Sequence, residues 1–104
     1  MLQTSTPDQW EPNADFAPVY EEWATLSRMF YIGANKEIYE YFSQDGVNWT
    51  WQRDEFPGGQ TADNPSGGIA AVGWQNQTCL YYVSGGRLIE NAWNGTNWNL
   101  GYQW

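Results

Sequence analysis

The chain has no histidine, a single cysteine, few basic residues and no long apolar run, and each shortage removes a class of function. Without histidine there is neither the usual general base near neutral pH nor a Ser-His-Asp arrangement. Cys79 has no second cysteine with which to form an internal disulfide. It also lacks a basic neighbour or helix start to lower its pKa, so it reads as a small apolar strand residue. Four Lys and Arg against twelve Asp and Glu leave a formal charge of −8. That charge repels phosphate backbones and anionic lipid surfaces, so nucleic acid is not an expected partner. No stretch approaches the length of a membrane span, and Met1-Leu2-Gln3-Thr4-Ser5 lacks the basic-then-apolar order of a signal peptide. The expectation is a protein with no membrane insertion, kept in the cytoplasm or exported by a non-classical route. No residue cluster has zinc spacing and no Asp-x-Asp-x-Asp-Gly loop suggests calcium, so no cofactor is expected.

What the chain has in excess is aromatic residues, 18% of the total with eight tryptophans. A single core of this size does not need so many rings, and some must face solvent or a partner. The rings also recur in order. Trp23-x4-Arg28-Met29-Phe30-Tyr31, Ile38-Tyr39-Glu40 and Asp45-Gly46-x2-Trp49 fall on Trp74-x4-Cys79-Leu80-Tyr81-Tyr82, Leu88-Ile89-Glu90 and Asn94-Gly95-x2-Trp98. The offset drifts from 51 to 49 residues, as two slightly shortened loops would make it. A repeat of this period marks a stacked or radial architecture. Whatever one copy has and the other lacks is then a candidate for function.

Each copy resolves into four extended runs: Ala17–Ala24, Ser27–Gly33, Glu37–Ser43 and Asn48–Arg53, then Gly68–Gln75, Thr78–Ser84, Arg87–Trp93 and Asn97–Tyr102. Between them Asn35, Asp45-Gly46, Gly85-Gly86 and Asn94-Gly95 supply the positive-φ positions that tight hairpins need. The reading is all-β, with two four-stranded antiparallel propeller blades, residues 17–56 and 68–104. Residues 57–67 are the linker, and residues 1–16 an N-terminal tail or strap. Two blades cannot close a ring and would expose apolar faces. Head-to-tail self-assembly solves this, and three chains would complete six blades.

The order Arg28-Met29-Phe30-Tyr31, Ile38-Tyr39-Glu40, Gly68-Ile69-Ala70-Ala71-Val72-Gly73-Trp74 and Ile89-Glu90-Asn91-Ala92-Trp93-Asn94-Gly95-x2-Trp98-x2-Gly101 resembles the Aleuria-type fucose-binding lectins. The resemblance covers about residues 17 to 104. It implies a six-bladed propeller, as in the family's short form whose two-blade chains form a homotrimer. It also implies a fucose pocket between neighbouring blades, with arginine and glutamate from one blade and aromatic residues from the next. Carried over by position, Arg28, Glu40, Trp93 and Trp98 form one complete carbohydrate-binding site within the chain. The second site, between chains, is degenerate: Cys79 stands in the arginine's place and Ser43 in that of a tryptophan, leaving Glu90 and Trp49.

The chemistry of these residue types agrees. A neutral sugar offers adjacent hydroxyls and an apolar C–H face, which call for a donor fork, a carboxylate acceptor and a flat ring. Arg28 and Glu40 would make charge-assisted hydrogen bonds, and Trp93 or Trp98 would supply the ring. Each residue also has a structural alternative. Arg28 and Glu40 could be a solvated cross-strand ion pair worth about 0–1 kcal/mol, and either tryptophan could serve blade packing. Trp23 and Trp74, alike in both copies, are assigned to the core. The turn Ser43-Gln44-Asp45-Gly46-Val47-Asn48-Trp49 approximates the aspartate box of sialidase-like propellers, which is a hairpin device and not a catalytic one. The chain is therefore read as a non-enzyme whose partners are fucosylated or other neutral glycans and copies of itself. The competing reading is a propeller scaffold that binds protein.

Overall fold

The computed structural model describes residues 16–65, 67–74 and 77–104. The expected tail therefore lies outside the described residues except for Phe16, which opens the first strand. Eight strands follow: β1 Phe16–Glu21, β2 Leu26–Ile32, β3 Ile38–Ser43, β4 Thr50–Arg53, β5 Ile69–Trp74, β6 Gln77–Ser84, β7 Arg87–Trp93 and β8 Trp98–Gln103. They form two four-stranded antiparallel sheets, β1-β2-β3-β4 and β5-β6-β7-β8. The fold is all-β as expected, and among the described residues no helix is long and apolar enough to cross a membrane.

Turn chemistry sets the hairpins. Gly46, Gly85, Gly86 and Gly95 adopt positive φ in the three turns where Gly pairs predict it. In the β2–β3 turn the positive φ falls on Lys36 and not on Asn35. The reason is local: the Asn35 side chain accepts from the Glu37 N–H at 3.1 Å and donates to the Tyr39 hydroxyl at 3.0 Å, which leaves the positive φ to the next residue. The first strand also ends sooner than its composition suggests. Glu22–Ala24 form a 3-10 turn closed by Thr25 at φ 49, because Glu21 already pairs with Leu26 and the chain must reverse between them. Trp23 is thus half-buried on that turn and not at a strand end. The side chain of Trp74 lies outside the described residues.

The two sheets meet face to face. By register, Ala17, Val19, Arg28, Phe30, Ile32, Ile38 and Glu40 share one face of the first sheet. The facing side of the second presents Ile69, Ala71, Leu80, Tyr82 and Trp93. Phe30 and Leu80 are wholly buried in this seam. Burying a side chain of that size contributes about 1.5–3 kcal/mol. The first strands of the two sheets approach so closely that a Cβ on Gly73 would sit 2.9 Å from a Val19 methyl. On the opposite face of the first sheet, Tyr31 stacks on Tyr39 and Tyr41 at 5.5 and 6.1 Å, a cross-strand aromatic ladder.

The segment between the sheets is anchored, not loose. Phe56 packs its ring against Tyr82 and Trp98, and Ala62 is buried. The Gln60 side chain accepts from Tyr82 and Asn91, while the Asp63 carboxylate accepts from the Gly85 and Gly86 N–H groups.

Candidate functional site

The β2–β3 hairpin brings Arg28 and Glu40 together. In its register Arg28 pairs with Phe42 and Phe30 with Glu40, so the two charged side chains are diagonal neighbours on the face turned toward the second sheet. They are not a solvated pair. Arg28 is 8% exposed and Glu40 1%, and the Arg28 Nε lies 3.3 Å from Glu21 and 3.5 Å from Glu40. Such a buried ion pair is a poor choice for stability alone, since desolvation offsets most of the attraction.

Trp93 comes from the second sheet and stacks over this pair. Its ring centroid is 5.2 Å from the Arg28 Cζ, a cation–π contact that joins the two sheets. Trp98 touches Trp93 at 5.5 Å, but its main partners are Phe30 at 5.8 Å and Phe56 at 5.0 Å. It is 9% exposed and belongs to the core cluster, with one edge reaching a cavity. The four expected residues are thus brought to one seam with unequal parts.

Two cavities flank Gln52, which lines both; the first is walled by the first sheet and its β3–β4 turn alone, the second by both sheets. One, of about 470 Å³, is lined by Arg28, Glu40, Phe42, Asn48, Thr50 and Gln52 among others. The other, of about 270 Å³, is lined by Trp93, Trp98, Gln52, Asp54, Thr96 and Asn97 among others. Arg28 and Glu40 therefore line the first, and the tryptophans the second.

Three further polar residues complete the site and were not picked out from the sequence. Glu21, at the end of β1, pairs with Arg28 and accepts a hydrogen bond from the Thr78 hydroxyl of the second sheet. Gln52 donates from its amide to Glu40 at 3.1 Å and to Asp54 at 3.4 Å. Asp54 is 7% exposed. Burial, together with a hydrogen bond to Glu40 and that residue's charge, pushes its pKa up to about 10 against the opposing pull of Arg28 and Gln52. A signal existed: Thr50, Gln52 and Asp54 alternate along β4 and so share the face of Glu40. Read locally, that polar alternation looks like a solvent side.

The corresponding place in the second sheet is built differently. Cys79 and Glu90 lie on its outward face, with Cys79 buried and its thiol pKa raised by burial and by the charge of Glu90. The Tyr81 hydroxyl donates to Glu90 at 2.6 Å, and the Tyr102 N–H donates to the same carboxylate at 3.3 Å. A register shift between Ile89 and Asn91 puts Gly101 directly under the Glu90 side chain, where a Cβ would collide with it. Trp49 sits in the first sheet's β3–β4 turn, its indole donating to the Gly46 carbonyl. In that turn the Asp45 carboxylate accepts from the Val47 and Asn48 N–H groups, which holds its pKa well below the usual range. The aspartate-box turn here ties a hairpin. Among the described residues no group of three or more Cys, Asp or Glu could hold a metal ion.

No protein-family model matches the chain, and no curated protein matches its sequence. Among solved structures its fold is similar to that of a fucose lectin from Kordia zhangzhouensis in complex with methyl-fucoside, with a TM-score of 0.56 at 17% identity. The match covers 88% of this chain and 65% of the other, so the chain spans under two thirds of that lectin. At this identity the likeness establishes a fucose-lectin-like fold.

Proposed function

We propose that the chain is a carbohydrate-binding lectin that takes fucose, free or on fucosylated glycans, at the Arg28–Glu40 site. The observation that carries this reading is the buried Arg28–Glu40 pair beneath Trp93. Burying an ion pair between two sheets has no clear benefit to folding, whereas a preorganised guanidinium, carboxylate and ring suit a hydroxylated ring with one apolar face. Glu40 lines the cavity beside Arg28, and the two are held by charge and not by a hydrogen bond that a ligand would have to break. A cavity of about 470 Å³ has ample room for a monosaccharide. Trp93 covers the guanidinium and limits access on that side, while Gln52 links the cavity to the tryptophan-lined one. The same groups support binding and not hydrolysis, and the arrangement fits membership of the Aleuria-type lectins.

The site acts with copies of itself. On the outward face of the second sheet, Ala70, Val72, Cys79, Tyr81, Val83, Leu88 and Glu90 occupy the register positions that Ala17, Val19, Arg28, Phe30, Ile32, Ile38 and Glu40 hold in the first. The first set leaves Val72, Val83 and Leu88 more than 40% exposed, whereas the second is covered by a neighbouring sheet. Repeating the internal contact between chains covers the exposed face, runs head to tail and closes as a trimer of six blades. Several weak pockets on one ring then raise the effective strength on dense glycans by about 10²–10⁴.

A glycan array tests the ligand and light scattering tests the ring. Selective signal on fucosylated glycans supports the lectin. Silence on every neutral glycan from a well-folded oligomer would favour a protein-binding scaffold instead. A monomer in solution would remove multivalency.

A further inference from the structure

The seam around Arg28 carries more acid than the sugar site needs. One guanidinium faces three buried carboxyl groups, Glu21 at 1%, Glu40 at 1% and Asp54 at 7% exposure. Arg28 pairs with Glu21 and Glu40 but makes no ion pair with Asp54. Three ionised carboxylates around one cation would bury two uncompensated charges, which is far too expensive in such a setting. A proton must remain on one of them. Geometry narrows the choice: Glu40 and Asp54 converge on one donor, the Gln52 amide, at 3.1 and 3.4 Å, whereas Glu21 has Arg28 and, to itself, the Thr78 hydroxyl, so the proton belongs between Glu40 and Asp54. One Asp54 oxygen has no hydrogen-bond partner among the described residues, and the Glu40 oxygen not taken by Gln52 faces Arg28 at 3.5 Å.

Resting on the lectin reading above, we propose that Asp54 is a positioning residue of the sugar site. It keeps a proton at neutral pH and uses it to hold Glu40 beside Arg28. Losing that proton sets a second negative charge against Glu40, which breaks the shared hydrogen bond and displaces the acceptor. The repeat supports a role peculiar to this copy. Asp54 continues β4 by donating its N–H to the Ile38 carbonyl, just as Trp104 donates to Leu88 after β8. The fold therefore needs only a backbone at that position, and the second copy has no acid there. The other charged or titratable groups around Asp54 are Arg28 on β2, Glu40 on β3, Tyr82 on β6, and Glu37, Arg53 and Glu55 lining an adjoining pocket. Glu21 acts on it only through Arg28. Burial raises the Tyr82 hydroxyl, and Arg53 pairs with Glu37 and Glu55 at the surface.

The test is calorimetric titration of methyl-fucoside into the wild type, Asp54→Asn and Asp54→Ala from pH 6 to pH 11. Wild-type affinity should hold level near neutrality and then fall about tenfold per pH unit once the proton has left. Asp54→Asn, whose amide can still donate to Glu40, should bind within about threefold of wild type at pH 7 and lose the alkaline decline. Asp54→Ala should weaken binding by about tenfold or more near pH 7 and show no alkaline decline of its own. The proposal is overturned if Asp54→Asn shows the wild-type decline, or if Asp54→Ala binds like the wild type. A wild type that takes no sugar at any pH sinks the lectin reading and this inference with it. A wild type that binds equally from pH 6 to pH 11 sinks the inference alone.

Discussion

The two sheets share a strand plan yet treat the same glutamate in opposite ways. In the first, Glu40 is buried beside Arg28 and steadied by Gln52, lining a cavity. In the second, Glu90 lies over Gly101, with Tyr81 and the Tyr102 N–H taking up its oxygens. The change from Arg28 to Cys79 removes the donor fork, and the change from Phe30 to Tyr81 supplies a hydroxyl that satisfies the orphaned carboxylate. One copy is left with a carboxylate that can accept from a ligand, and the other with one already engaged. On the lectin reading, a repeat can keep its acid and lose its site through the residues next to it.

The contrast breaks most readily at its charged pair. Glu40→Gln should lower methyl-fucoside affinity about a hundredfold, enough to take a weak monosaccharide titration below detection, while the oligomer keeps its mass. Arg28→Ala should do the same. It also leaves Glu21 and Glu40 buried without a countercharge, so unfolding in denaturant should show a loss of about 3–5 kcal/mol. Leu80→Ala, in the seam beneath the site, should cost about 2–5 kcal/mol with the transition still cooperative. Gly73→Ala should cost about 1–3 kcal/mol by driving β5 away from Val19, and a neutral result would show that the seam is slack. The smallest effect belongs to the second sheet. Cys79→Arg should add no sugar site per chain, because Tyr81 still occupies Glu90 and Ser43 still lacks a ring.

Stability against pH sharpens the same contrast. The native pKa of Asp54, near 10, lies above the ordinary aspartate value of 3.8. The native state thus keeps a proton that the unfolded chain releases, so this stabilisation is full below about pH 3.8 and is lost as pH rises toward 10. Asp54→Asn, which does not titrate, should therefore gain in Tm over the wild type, by a margin that widens from about pH 5 to about pH 9. Parallel melting curves would show that no proton is held there.

Much of the architecture was legible in advance because hairpin turns and strand alternation are local signals. Gly46, Gly85, Gly86 and Gly95 mark turns wherever the chain is read, and the repeat aligns them twice. The pairing of Arg28 with Glu40 was legible too, as a hairpin separation. Their burial was not, since it depends on a second sheet covering the first. For the same reason Glu21, Gln52 and Asp54 escaped notice: a polar residue on an alternating strand looks solvated until something packs on it. The 3-10 turn at Glu22–Ala24 was hidden by strand-forming residues that the reversal into β2 overrides.

The account rests on one competent pocket in each chain, made by Arg28 and Glu40 under Trp93. Calorimetric titration of methyl-fucoside into the assembled protein counts those pockets directly. One sugar per chain for the wild type and none for Glu40→Gln is the expected result. Two sugars per chain, or unchanged binding in Glu40→Gln, would contradict it.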